Sequence, residues 1–216
     1  MAPDVPERAS GRDARKYSFI GLAVFLIDKA LLTIINITGN YGVIFAGLDI
    51  YSHTTALFNW AIPIFILYRI EKRGLDSVGL KVRSDRYPIY IAHAFVGLVL
   101  PSFFLGFDSE LIVEFLEQLA FIGLVEEFFY RGYLMERFCE WLGDVKGLLL
   151  NAVIFSLAHL VFLFSRYGFA YIQSDLIIGF QTFMGGLLLG YIYLRAGDII
   201  PSSILHISLN MYLSRL

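Results

Sequence analysis

Cysteine is almost missing from this sequence: Cys139 is the single one among 216 residues. That excludes an intramolecular disulfide and any zinc or iron–sulfur site built from several cysteines. Cys139 itself reads as a bystander near a helix end. Charge is scarce as well. Asp, Glu, Lys and Arg make up 17% of the chain, against about 25% in soluble domains. Neither sign dominates, with 17 basic and 19 acidic residues for a net charge of −2, so no basic face is available for nucleic acid. Aromatics at 16% argue against disorder. What fills the chain instead is apolar: 57% belongs to the AVILMFWYC set and the mean hydropathy is +0.67. A soluble globule of this size cannot hide that much apolar surface. The expected solvent is lipid.

Residues 1–17 form a tail with four basic side chains, three acidic ones and two prolines. The apolar run behind it is interrupted by Asp28-Lys29 and lacks a small-residue cleavage site, so it is expected to stay in the protein. Runs long enough to cross a bilayer, about 20 residues at 1.5 Å each, fall near 18–38, 54–70, 88–107, 111–135, 146–165, 175–194 and 199–213. The last is short, and 41–51 reads as a re-entrant or interfacial piece. If these spans alternate in direction, 13 of 15 basic residues, leaving out Lys29 and Arg131, fall on the side of the N-terminal tail. That side is expected to be cytoplasmic, with the C-terminus outside. The fold class expected is all-α, a polytopic integral membrane helix bundle of about seven transmembrane helices, with six or eight as the neighbouring counts. A basic cytoplasmic loop near 69–87 is the only substantial polar connection.

An ionisable side chain inside a span costs about 2.5–3.5 kcal/mol on insertion scales, so each one needs a reason. Glu114 and Glu117 lie near the outer end of the fourth span, within reach of interfacial water. Glu126 and Glu127 lie roughly 13 Å deep by helical rise. Glu127 and Arg131 are i,i+4 neighbours, the spacing of an intrahelical ion pair. Glu126 points about 100° away, faces Tyr130 at i+4 and needs a partner from another helix. Candidates are Phe155 and His159 on one face of the fifth span, and His206 and Asn210 on one face of the seventh. By helical rise His159 sits roughly 18–20 Å and His206 roughly 10 Å from the cytoplasmic edge, layers that overlap with Glu126. Asp28-Lys29 reads as a structural pair, His53 and His93 as interfacial or packing residues. Gly186 and Gly190 allow close helix approach. Asp198 is a cap ahead of Pro201.

A carboxylate, two imidazoles and a carboxamide without a Ser or Cys nucleophile point to activation of water. The glutamate can act as general base, a histidine can relay the proton, and His with Asn can donate to the oxyanion. Ser156 is a competing nucleophile, though a helix interior gives it no strained elbow.

The series Glu126-Glu127-x-x-x-Arg131, Phe155-x-x-x-His159 and His206-x-x-x-Asn210 resembles the motifs of the CAAX protease and bacteriocin-processing (CPBP or Abi) family of glutamate-type intramembrane endopeptidases. The stretch from Gly190 through Arg195, Gly197 and Pro201 to Asn210 is similar to that family's last motif. The resemblance implies catalytic helices over 108–216, and the apolar runs place N-terminal transmembrane helices over 18–107 ahead of them. It implies Glu126 as the water-activating base assisted by His159, and His206 with Asn210 as the oxyanion hole. Glu127, Arg131 and Phe155 would support the site. The expected substrate is a membrane-associated protein or peptide, with no cofactor, no metal and no nucleic acid, in the cell membrane of a prokaryote. Two alternatives stay open: a non-catalytic immunity or scaffolding member, and a metal-dependent membrane hydrolase using Glu126, His159 and His206.

Overall fold

The structure is a computed structural model that describes residues 9, 11–39, 44–45, 48–49, 54–55, 57–80, 88, 92, 95, 103, 115 and 123–213. His53, His93, Glu114, Glu117 and almost all of the span expected at 88–107 lie outside the described residues. The described chain is helical apart from one short ladder. Helix α1 is Gly11–Thr38. Strands β1 (Ile44–Phe45) and β2 (Leu48–Asp49) then pair antiparallel, Ile44 opposite Asp49 and Phe45 opposite Leu48. Part of the piece expected to be re-entrant or interfacial is thus a minimal hairpin.

Helix α2 (57–71) has α geometry only over Ile62–Ile66, with wide i→i+5 turns at Leu57–Ala61 and Leu67–Glu71. Pro63, near its middle, has no N–H to give to the ladder. Helix α3 (124–142) is α at Leu124–Glu127, widens to i→i+5 turns over Phe128–Met135, and is α again at Glu136–Leu142. Every residue of that wide stretch is buried, so α3 is enclosed on all sides over Phe128–Met135. Around it stand α4 (Asp144–Tyr167), α5 (Ile172–Ala196) and α6 (Ile199–Leu213).

The breaks have local causes. Gly143 takes φ +83° between α3 and α4, a backbone state that costs any other residue. Asp198 caps α6 by accepting the Ile200 N–H at 2.8 Å, as its position predicts. Gly186 faces the Ala152 backbone and Gly190 faces Leu148 and Met135, so the small pair does bring α5 against α4 and α3. Helix α1 begins at Gly11, earlier than the apolar run, because the polar residues 12–17 contain no helix breaker.

Three described helices, α1, α4 and α5, are long and apolar enough to cross a bilayer, and α6 is a shorter apolar one. The outside of the bundle is apolar: Leu26, Ile34 and Ile37 on α1, and Ile177, Phe180 and Tyr191 on α5, are exposed. The inside holds Asp28, Glu71, Glu127, Arg131, Glu136 and Arg137, all buried. That is the reverse of a soluble protein, and it fits a chain whose outer solvent is lipid.

One end of the bundle is tied by polar bonds. Glu71, at the end of α2, pairs with Arg137 of α3, whose Nε lies 3.1 Å from Oε2. Arg137 Nη1 donates to the Ser77 carbonyl at 3.2 Å, and Ser18 of α1 donates to the Arg137 carbonyl at 2.7 Å. Arg73 reaches Glu140 at 2.7 Å, and the Ile199 N–H bonds the Gly79 carbonyl at 3.1 Å. The loop after α2 is therefore folded onto the bundle as far as Leu80. The start of α1, the ends of α2 and α3 and the starts of α4 and α6 all meet there. Removing one partner of a buried pair leaves an uncompensated charge, at about 3–5 kcal/mol. Arg137→Met is expected to lose that much, read as a lowered unfolding midpoint in detergent. Glu71→Gln added to it recovers more than half; equal losses in the single and double variants would contradict this account.

Candidate active site

Helix α3 divides its two adjacent glutamates. Glu127 is completely buried, and its Oε1 lies 2.9 Å from Arg131 Nη1 and 2.9 Å from His206 Nδ1. The i,i+4 ion pair expected from the sequence is present, with α6 joining through His206. Glu126 is turned away and 25% exposed, with Oε2 at 3.7 Å from His206 Nε2. That separation is an electrostatic contact and too long for a hydrogen bond.

The aromatic ring of Phe155 sits at the middle of this group. The Arg131 guanidinium lies over it at 4.1 Å, and the rings of Tyr130, His159 and His206 meet it edge-on at 5.0, 4.6 and 5.9 Å. The ring's negative face takes the cation, and its edges take the neighbouring rings. His159, one turn on, places Nδ1 2.9 Å from the Phe155 carbonyl. A carbonyl only accepts, so the proton sits on Nδ1, and in the neutral ring Nε2 is the nitrogen able to take another.

Glu126 and His159 line one cavity of about 230 Å³, together with Lys29, Tyr130, Ala158 and Phe162. Lys29 comes from α1, where Asp28 holds its ammonium at 2.8 Å. The expectation that Asp28 and Lys29 pair is met, but the sequence reading gave Lys29 no place in the site. Also missed was Asn151, which donates its amide to the Tyr130 carbonyl at 2.8 Å, in the wide part of α3. Its signal was available: Asn151, Phe155 and His159 recur every four residues along one stripe of α4. Asn210 is half-buried one turn beyond His206 on α6, and neither residue is among those described as lining the cavity. Ser156 donates to the Gly179 carbonyl at 2.6 Å, the bond of a packing hydroxyl between α4 and α5. Among the described residues, no three His, Cys, Asp or Glu side chains converge as a metal-holding group.

Residues 108–212 match the family model described as type II CAAX prenyl endopeptidase Rce1-like. This half of the chain is Rce1-like. Comparison with curated proteins and with solved structures returns no match. The match agrees with the CAAX protease resemblance drawn from the motifs, and its range contains Glu126, Glu127, Arg131, Phe155, His159, His206 and Asn210. It is a protease family, and the apolar helices place the chain in a membrane. Helices α1 and α2 lie outside the matched residues.

A cation–π contact in a desolvated setting is worth about 2 kcal/mol. Phe155→Leu, which keeps an apolar filler but removes the π-face, is expected to cost about 2 kcal/mol in detergent unfolding. An unchanged midpoint would show that the ring does not hold Arg131.

Proposed function

We propose that this protein is an intramembrane endopeptidase of glutamate type, which uses Glu126 to activate water against a peptide bond of a membrane-associated protein or peptide. The observation that carries the reading is the division of the glutamates: Glu127 is taken up by Arg131 and His206, while Glu126 and His159 line the cavity. A carboxylate bordering a cavity can orient a water and accept its proton, and the accepting nitrogen of His159 can share it. Attack puts negative charge on the carbonyl oxygen, for which His206 and Asn210 are the donors that the family resemblance supplies. Glu127, Arg131 and Phe155 keep the pocket in shape. The basic loops and tail favour a cytoplasmic N-terminus, and the family resemblance makes the cell membrane of a prokaryote the proposed setting. The match to type II CAAX prenyl endopeptidases makes a prenylated CAAX peptide the first probe.

General-base catalysis contributes about 10²–10⁴-fold. Glu126→Gln is therefore expected to lower cleavage of such a peptide by at least about 10³-fold, and His159→Ala by about 10²-fold, with unfolding midpoints little changed. Exhaustive chelation is expected to leave the wild-type rate intact. Cleavage by Glu126→Gln at the wild-type rate, followed by mass spectrometry of the products, would overturn the assignment.

A further inference from the structure

Lys29 lies in the interior of α1, a helix long and apolar enough to span a bilayer. A lysine at such a depth is costly and can be spared by almost any apolar residue. The bundle nevertheless turns it inward. Its side chain is only 16% exposed, is held by the fully buried Asp28 at 2.8 Å, and forms part of the same cavity wall as Glu126 and His159. The Tyr130 hydroxyl, on that wall too, is within hydrogen-bonding reach of Lys29. Of the cationic side chains buried nearby, Arg131 is occupied by Glu127 and the Phe155 ring. Among the described residues that line the cavity, Lys29 is the cation.

We infer that Lys29 is a catalytic residue of this site, donating from α1 to the carbonyl oxygen of the scissile bond as that oxygen becomes negative. The inference rests on the endopeptidase reading and adds a donor to His206 and Asn210. In the addition step the water oxygen bonds to the carbonyl carbon, Glu126 takes the water proton, and the carbonyl π pair moves onto oxygen. That oxygen then accepts from the Lys29 ammonium, whose bond to the neutral Tyr130 hydroxyl is the weaker one and is exchanged for it. In the breakdown step the C=O bond re-forms, the C–N bond breaks, and the amine leaves with the proton returned through Glu126 or His159. Lys29 keeps all its protons throughout. Asp28 acts through Lys29, as a positioning residue that keeps the ammonium aimed at the cavity.

An oxyanion donor acts in the transition state alone, so its loss lowers kcat and leaves KM. Removing one such donor typically costs about 10²–10³-fold in kcat. With a prenylated CAAX peptide as probe, Lys29→Met is expected to lower kcat at least about 10²-fold with KM within about threefold. Lys29→Arg, which keeps charge and donors, is expected to recover at least about tenfold of that loss. Because Lys29→Met leaves Asp28 buried and unpaired, the double variant Asp28→Asn/Lys29→Gln is measured beside it, and the same loss of kcat is expected. Three results would overturn the inference: an unchanged kcat in both variants, a rise in KM with kcat intact, or no rescue by arginine. Glu126→Gln separates the two levels. If it is inactive while Lys29→Met is fully active, only the role of Lys29 falls. If neither the wild type nor any variant cleaves, the endopeptidase reading falls and this one with it.

Discussion

Glu127 and Arg131 are both fully buried, four residues apart on α3, in a layer where either charge alone would be costly. Desolvating two charges costs several kcal/mol per ion, and direct attraction offsets that only when further partners complete the geometry. Here the partners are unusually well distributed. His206 adds a hydrogen bond on the carboxylate side, and the Phe155 ring takes the guanidinium on the other. Each comes from a different helix, so the pair binds α3 to α6 and α4 at one depth. The wide turns of α3 begin at Phe128, directly after Glu127, and Asn151 of α4 holds the Tyr130 carbonyl inside them. Wide helical turns at functional sites are common. In this chain one is braced from the neighbouring helix.

The same logic explains why the bundle's interior is more polar than its exterior. In lipid, burying an apolar side chain brings little, because the outside is as apolar as the inside. Helix association must come from close packing and from polar contacts that hydrocarbon cannot provide. Both are present. Gly132 lets the Val78 carbonyl rest on α3, and Gly186 and Gly190 bring α5 up to its neighbours. The Glu71–Arg137 pair with its bonds to Ser77 and Ser18 closes one end, while Asn36 bonds Ser165 between the far ends of α1 and α4 at 2.9 Å. The layer of Glu127, Arg131 and Phe155 lies between these two fastenings.

Much of this was legible in the sequence where the determinants are local. Helices α4, α5 and α6 follow their apolar runs to within a few residues, since length and hydropathy are properties of a segment. The separation of Glu126 from Glu127 was legible because an i,i+4 partner exists for one and not for the other. What escaped was set by contacts between distant segments. Nothing near Lys29 shows that α1 turns it toward Glu126, about a hundred residues on, and nothing near Glu71 names Arg137. The tie of Asn151 to a backbone carbonyl of α3 escaped for the same reason, although its four-residue spacing from Phe155 marked the stripe. The early start of α1 was hidden by polarity: residues 12–17 carry no apolar run, and a helix extending past its apolar part leaves none to find.

The two glutamates show how a single dipeptide can serve opposite needs. A structural counter-ion works best where no water competes for its partners, and Glu127 is fully buried. A general base must meet water, and Glu126, for which that role is proposed, keeps a quarter of its side chain exposed beside a cavity. One residue of helical rotation, about 100°, provides both environments. His206 touches both carboxylates, at 2.9 Å and 3.7 Å. The shorter contact fixes the imidazole on the rigid pair, so the looser one holds the field around Glu126 steady without tying down its oxygens. The base proposed at Glu126 would change partners within each turnover and needs that freedom, and the rigidity it lacks is supplied by the residue next to it.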